Sequence, residues 1–149
     1  MLRGPWIAGL TALTTLAACA PKTCERALSV PESEITNYML EPVGLGEKFD
    51  RFECLLSLRP PPLALSLTFR RDGVAAAREA SVRLSTGDRG RAVREGMLSI
   101  IEDIAENDRP QVCNDRQIRH SLSVLSRSGP RYLRSRAQRI CDLPEAPVR

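Results

Sequence analysis

The sequence predicts an α+β domain, a small antiparallel sheet packed by one long amphipathic helix and stapled by disulfides. Leu63, Leu65, Leu67 and Phe69 alternate with Ala64, Ser66 and Thr68, which is the period of a half-buried strand. Asp72 and Gly73 follow at once, a favoured pair for a two-residue type I′ hairpin turn. Further on, Val93, Met97, Ile100, Ile101 and Ile104 recur at the helical period, with Arg91, Arg94, Glu95, Glu102 and Glu106 around the other side.

Each element follows from local chemistry. Ser29 stands three residues before Glu32, with Pro31 between them, and this capping-box register predicts a helix over 30–41 whose inner face is Ile35, Tyr38 and Met39. From Phe49 the period reads as two, Phe52, Cys54, Leu56 and Leu58 against Arg51, Glu53 and Ser57, with Leu55 as the exception, so 49–58 is expected to be a strand. Pro60, Pro61 and Pro62 cannot donate ladder hydrogen bonds and break it. A hairpin turning at Asp72 and Gly73 pairs Phe69 with Ala76, Leu65 with Ala80 and Leu63 with Val82. It leaves Arg78 on the inner face opposite Leu67, a conflict that a bulge or loop would have to absorb.

Asp88 can cap a helix over 89–106, which Gly96 weakens by up to about 1 kcal/mol and which Asn107 and Pro110 end. Beyond it two readings stand open. Ile118, His120, Leu122 and Val124 alternate, which predicts a second hairpin over 117–126 and 131–141; Ile118, Leu122 and Leu125, with Leu133, Ala137 and Cys141, also fit two amphipathic helices. Residues 144–149 are expected to form a flexible tail, and 29–143 a single domain.

The first eighteen residues have the layout of a signal peptide: Arg3 as the one early charge, then an apolar run through Ala18 that is too short for a hydrocarbon core of about 30 Å. Leu16, Ala17, Ala18 and Cys19 resemble the lipobox of bacterial lipoproteins. The resemblance implies cleavage before Cys19 and acylation of that cysteine on sulfur and amine, an anchor far stronger than one acyl chain. It also implies a cell-envelope address, and Ala20 in place of an aspartate leans towards the outer membrane, facing the periplasm. Residues 19–28 are then the acylated start and a short tether: only Ala20, Pro21, Lys22 and Thr23 separate Cys19 from Cys24, a reach of at most about 14 Å.

Cys24, Cys54, Cys113 and Cys141 are an even set in an exported chain and predict two disulfides. Three connectivities are possible, and the strand pattern favours Cys24 with Cys54 and Cys113 with Cys141. Each would close a loop of about thirty residues, worth roughly 3.5 kcal/mol in the chain-entropy description.

Charge is unevenly placed. Residues 31–108 hold ten Lys or Arg against fourteen Asp or Glu, whereas 109–149 hold nine Arg against three acids. Arg131, Arg134, Arg136 and Arg139 form the cluster most suited to an anionic partner: anionic lipid, lipopolysaccharide, a wall polymer or another envelope protein, rather than nucleic acid, which an exported protein seldom meets. Glu102 and Glu106 stand one turn apart on the polar face of the 89–106 helix, where solvated charge belongs.

The chain lacks HExxH, GxSxG, a Walker-type phosphate loop and CxxC, which argues against the common hydrolase, nucleotidase and thioredoxin-like chemistries. His120, the single histidine, is the simplest general base for an envelope enzyme, but on the apolar alternation it reads as a structural residue. Zinc held by Cys54, Cys113, Cys141 and His120 is chemically allowed, yet the scattered spacing and the disulfides argue against it. No catalytic residue, metal or cofactor is therefore expected, and the function predicted is a non-catalytic binding or interaction module at the membrane surface.

Overall fold

A computed structural model describes residues 22–58, 65–86 and 88–143. The predicted signal peptide, Cys19, the break at Pro60, Pro61 and Pro62, Leu63 and Ala64 of the predicted strand, and the tail 144–149 lie outside the described residues.

The fold is all-α, and no strand occurs among the described residues. In order come α1 (Lys22–Ser29), a 3-10 turn (Glu32–Glu34), α2 (Ile35–Leu40), α3 (Leu45–Leu58), a 3-10 helix (Leu65–Asp72), α4 (Gly73–Ser85), α5 (Arg91–Asn114), α6 (Arg116–Ser128) and α7 (Arg131–Ile140). α5 is the central element: α3, the 3-10 helix, α4, α6 and α7 all pack on it, while α1 packs on α3. None of these helices is long and apolar enough to cross a membrane.

The predicted sheet fails for reasons that individual side chains make plain. In 49–58, Leu55 and Leu56 are neighbours and both are buried, which a strand with alternating faces cannot achieve. With Phe49 and Phe52 they form a helical stripe, and Leu55, the exception to the two-residue period, marks it. In 73–85 the buried set is Ala76, Ala77, Ala80 and Ser81, a helical spacing in an alanine-rich segment of high helix propensity. Arg78, which a strand would force inward, is exposed and bonds Asp115.

Over Leu65 to Phe69 the alternation does not mark a strand. Leu65, Thr68 and Phe69 are buried in the 3-10 helix, where the Thr68 hydroxyl donates to the Leu65 carbonyl at 2.8 Å, whereas Leu67 is exposed. Gly73 does take a left-handed conformation (φ 56°), but as the joint between this 3-10 helix and α4 instead of a hairpin turn. Of the two readings for the C-terminal third, the helical one is present: α6 buries Ile118 and Leu122, and α7 buries Leu133 and Ala137.

Helix ends also differ from expectation. Ser29 closes α1 by donating to the Arg26 carbonyl, and the 3-10 turn after it has no side-chain cap. Gly90, not Asp88, occupies the N-cap of α5, while Asp88 pairs with Arg94 at 3.4 Å. The stop at Asn107 and Pro110 becomes a kink: Asp108 leaves the helical conformation (φ −146°, ψ 60°), accepts from the Gln111 N–H at 3.3 Å, and so caps a second helical segment that has Pro110 in its first turn.

The five α5 residues that define the apolar stripe are all buried, against helices instead of a sheet. Phe69 lies 4.6 Å from Phe49 and 5.2 Å from Phe52, centroid to centroid, joining the 3-10 helix to α3. Polar groups fasten the same junction. Lys48 donates to the Thr68 carbonyl at 2.7 Å and to Asp72 at 2.5 Å. Arg51, 2 % exposed, donates to the Tyr38 carbonyl at 2.7 Å and pairs with Glu41 and Glu47, each at 2.8 Å, with its guanidinium over the Tyr38 ring. Its buried charge is thus fully partnered, which keeps the desolvation cost from dominating.

Gly96 has a packing role that propensity alone does not reveal. A Cβ there would stand 2.3 Å from Leu56 Cδ1 and 3.0 Å from Phe52 Cζ, so α3 and α5 cross where α5 presents no side chain. Gly96→Ala is expected to lower unfolding free energy by a net ~1 kcal/mol, because overpacking a filled core costs about 1–3 kcal/mol against a helix-propensity gain of up to about 1. Denaturant titration by circular dichroism measures this, and a Gly96→Ala protein at least as stable as the parent would refute the tight crossing.

Candidate functional site

Between Arg116 and Cys141 the chain holds seven arginines and no aspartate or glutamate. That stretch is the α6–α7 hairpin. Its start is fixed by Asp115, whose Oδ1 accepts from the Gln117 and Ile118 N–H groups at 2.9 and 3.0 Å while Oδ2 accepts from Arg78 Nε at 2.9 Å and Nη2 at 2.5 Å. Its corner is Gly129 and Pro130. The Gly129 N–H donates to the Leu125 carbonyl at 2.9 Å, so close that a Cβ would stand 2.4 Å from that oxygen. Its base is the Cys113–Cys141 disulfide (Cα–Cα 5.5 Å), which ties the end of α5 to the residue after α7. The second disulfide, Cys24–Cys54 (Cα–Cα 5.2 Å), joins α1 to α3.

The four arginines singled out by sequence are not equivalent. Arg131, Arg134 and Arg139 are exposed and have no carboxylate partner among the described residues. Arg136 is built into the body: Nε and Nη2 donate to Glu102 at 3.0 and 2.5 Å, and Nη2 donates to Ser99 at 2.9 Å. The Glu102 bonds hold its pKa above the ordinary arginine value, against the opposing effect of burial. Arg136 therefore leaves the set of anion-contact residues. Glu102, expected to be simply solvated, is its counter-ion.

Three arginines on α6 take its place. Arg116, Arg119 and Arg127 are exposed and unpaired with any described carboxylate, and the helical period puts them together on the face opposite Ile118 and Leu122. His120 belongs to the same outer side. It is exposed and makes no hydrogen bond among the described residues, so the inward position expected from alternation is wrong. It borders a shallow cleft of about 530 Å³ with Leu84, Ser85, Arg94 and Gly129, where no nucleophile or orienting carboxylate is bonded to it.

Elsewhere most described arginines are paired with acids, exposed Arg71 of the 3-10 helix being an exception. Arg83 pairs with Glu79 at 2.7 Å, Asp50 at 2.8 Å and Glu53 at 2.9 Å. Burial opposes its charged form most strongly, yet these three acids together push its pKa above the usual arginine value. The chain matches no family model, no curated protein and no solved structure. The geometry of the site is therefore what identifies its chemistry. A partial signal for it existed in the sequence: Arg51, Arg83 and Arg91 each have a glutamate four residues away, whereas of the arginines of α6 and α7 only Arg119 has an acid at that spacing, Asp115, which bonds Arg78 instead.

Burial alone would raise the Asp115 pKa, but the Arg78 bonds and the two N–H groups outweigh it and hold the carboxyl below its usual range. A group with a depressed folded-state pKa stabilises the fold above its unfolded value and loses that contribution as pH falls through the folded one. Asp115→Ala is expected to cost about 1–2 kcal/mol at neutral pH, the scale of a lost cap, and the deficit against the parent should shrink below about pH 4. Thermal melts of both proteins across that range test the sign; a deficit unchanged in acid would assign the loss to packing instead.

Proposed function

We propose that this protein is a lipid-anchored cell-envelope module, held to a bacterial membrane through acyl chains on Cys19, that binds an anionic partner without catalysis. The observation that carries the binding half is the α6–α7 hairpin: exposed Arg116, Arg119, Arg127, Arg131 and Arg134 within a stretch that contains no acid. Unpaired guanidiniums present paired N–H donors that match phosphate and carboxylate oxygens, the groups that anionic lipid, lipopolysaccharide and acidic wall polymers carry.

The anchor half rests on the lipobox resemblance at Leu16, Ala17, Ala18 and Cys19, and the outer-membrane, periplasm-facing address on Ala20. Because α1 begins at Lys22 and is bonded to α3 through Cys24, a lipid on Cys19 would keep the folded body within a few residues of the bilayer. Two disulfides fit the oxidising side of that membrane. His120, exposed and without a catalytic neighbour bonded to it, does not favour the enzymatic alternative.

Two measurements separate the halves. Mass spectrometry of the mature protein is expected to find Cys19 as the first residue bearing acyl chains; an unmodified Cys19 thiol would end the anchor proposal. Secreted protein carrying Cys19→Ser is expected to bind vesicles containing phosphatidylglycerol, or lipopolysaccharide, in a salt-sensitive way. Replacing Arg119, Arg127 and Arg134 together by glutamate should weaken binding at least tenfold at about 0.1 M salt, where charge attraction still acts over roughly 10 Å. Equal binding by the reversed protein to every anionic probe would refute the basic-face reading.

A further inference from the structure

The cleft of about 530 Å³ beside α6 lies well inside the size range usual for small-molecule sites. Gln117, His120, Ser121, Val124 and Ser128 line it at helical spacing, so it extends along about 18 Å of helix from Gln117 to the corner at Gly129, at 1.5 Å per residue. Leu84 and Ser85 at the end of α4 and Arg94 near the start of α5 complete the lining from the neighbouring helices.

What these walls leave unengaged defines the occupant. The hydroxyls and the amide largely satisfy one another: Ser85 and Ser121 are bonded at 2.9 Å, Gln117 Nε2 donates to Ser121 at 3.3 Å, and Ser128 donates to the Val124 carbonyl at 3.0 Å. An extended peptide, which carries a donor and an acceptor at every residue, would find few partners there. Leu84, Val124, Leu125 and Pro130 supply apolar area, Val124 being 48 % exposed, and neither an aromatic ring nor a carboxylate is among the lining residues. Arg94 is the one permanent cation of the lining. Its only carboxylate contact runs from Nη2 to Asp88 at 3.4 Å, a long pair with a fully exposed acid, so Nε and Nη1 remain available. The exposed guanidiniums of Arg116, Arg127 and Arg131, on the same hairpin, add a positive potential that draws anions towards it.

We infer that this cleft binds a small aliphatic monocarboxylate, the carboxylate accepting from Arg94 and the hydrocarbon lying along Val124, Leu84 and Leu125. One guanidinium with free N–H groups matches the two oxygens of one carboxylate. A hydrocarbon body asks nothing of hydroxyls that are already bonded, and the absence of a ring among the lining residues leaves nothing for an aromatic ligand to stack on. A polyanion would leave the apolar wall uncovered, whereas a neutral hydrocarbon would leave Arg94 unused. His120, unbonded among the described residues, offers a ring N–H at the margin. None of the arginines assigned to the outer face of α6–α7 is needed, so the inference stands or falls independently of the anion-binding proposal.

The test titrates secreted, disulfide-bonded protein carrying Cys19→Ser with octanoate, 1-octanol and acetate, reading amide shifts by NMR. Octanoate is expected to saturate at millimolar concentration, to move signals of 84–85, 94 and 117–130, and to bind at least tenfold more tightly than octanol or acetate. Arg94→Gln should bring octanoate down to the affinity of octanol while leaving binding to phosphatidylglycerol vesicles as in the parent. Val124→Ser, at an exposed position where folding is unaffected, should weaken octanoate at least threefold and leave acetate unchanged. Failure of octanoate to saturate overturns the inference. So does octanol or acetate binding as tightly as octanoate, or an Arg94→Gln protein that retains the parent's affinity for it.

Discussion

Burial of the α5 stripe is the constraint on which the architecture depends. Val93, Met97, Ile100, Ile101 and Ile104 lie along one helix, and each must find apolar cover. Five other elements supply it, so α5 is where the N-terminal part of the chain and the C-terminal hairpin meet. With so few aromatic residues the core is mostly aliphatic, and the three phenylalanines are concentrated at one place, the junction of α3 with the 3-10 helix. Close approach there is what makes a glycine at position 96 useful despite its poor helix propensity.

Electrostatics divide along the same lines as the packing. In the region of α1 to α4, arginine and lysine act as cross-links: Arg51 joins α3 to α2, Lys48 joins α3 to the 3-10 helix, and Arg83 joins α4 to α3. Their cations are held by acids, carbonyls and ring faces, and most of that charge is internally cancelled. The α6–α7 hairpin obeys the opposite rule, because the one arginine of it with a carboxylate partner among the described residues, Arg136, takes that acid from α5. Charge that is not needed to hold the fold is thereby concentrated on one pair of helices, where an external counter-charge can reach it.

Reading the sequence captured the buried stripe of α5, the paired cysteines' involvement in disulfides and the basic character of the C-terminal third. It misplaced the rest of the fold because short apolar runs fit two periods at once. "LALSLTF" alternates perfectly, and yet its described part, Leu65 to Phe69, lies in a 3-10 helix, with no strand among the described residues to pair with it. The warnings were single residues: Leu55 beside Leu56, and Arg78 facing inward. Both conflicts vanish on a helix. The site was legible in kind but not in membership. Arg136 and Arg134 are indistinguishable by composition, and only the proximity of Glu102 across thirty-four positions separates them.

The order of the two disulfides has a biosynthetic consequence. Each bond joins consecutive cysteines among the four, first to second and third to fourth, so their covalent loops lie side by side along the chain without overlapping. A polypeptide emerging amino end first into an oxidising space would expose Cys24 and Cys54 well before Cys113. The earliest thiols to meet would then be native partners. Such a chain could mature with an oxidase alone, without an isomerase to unscramble it.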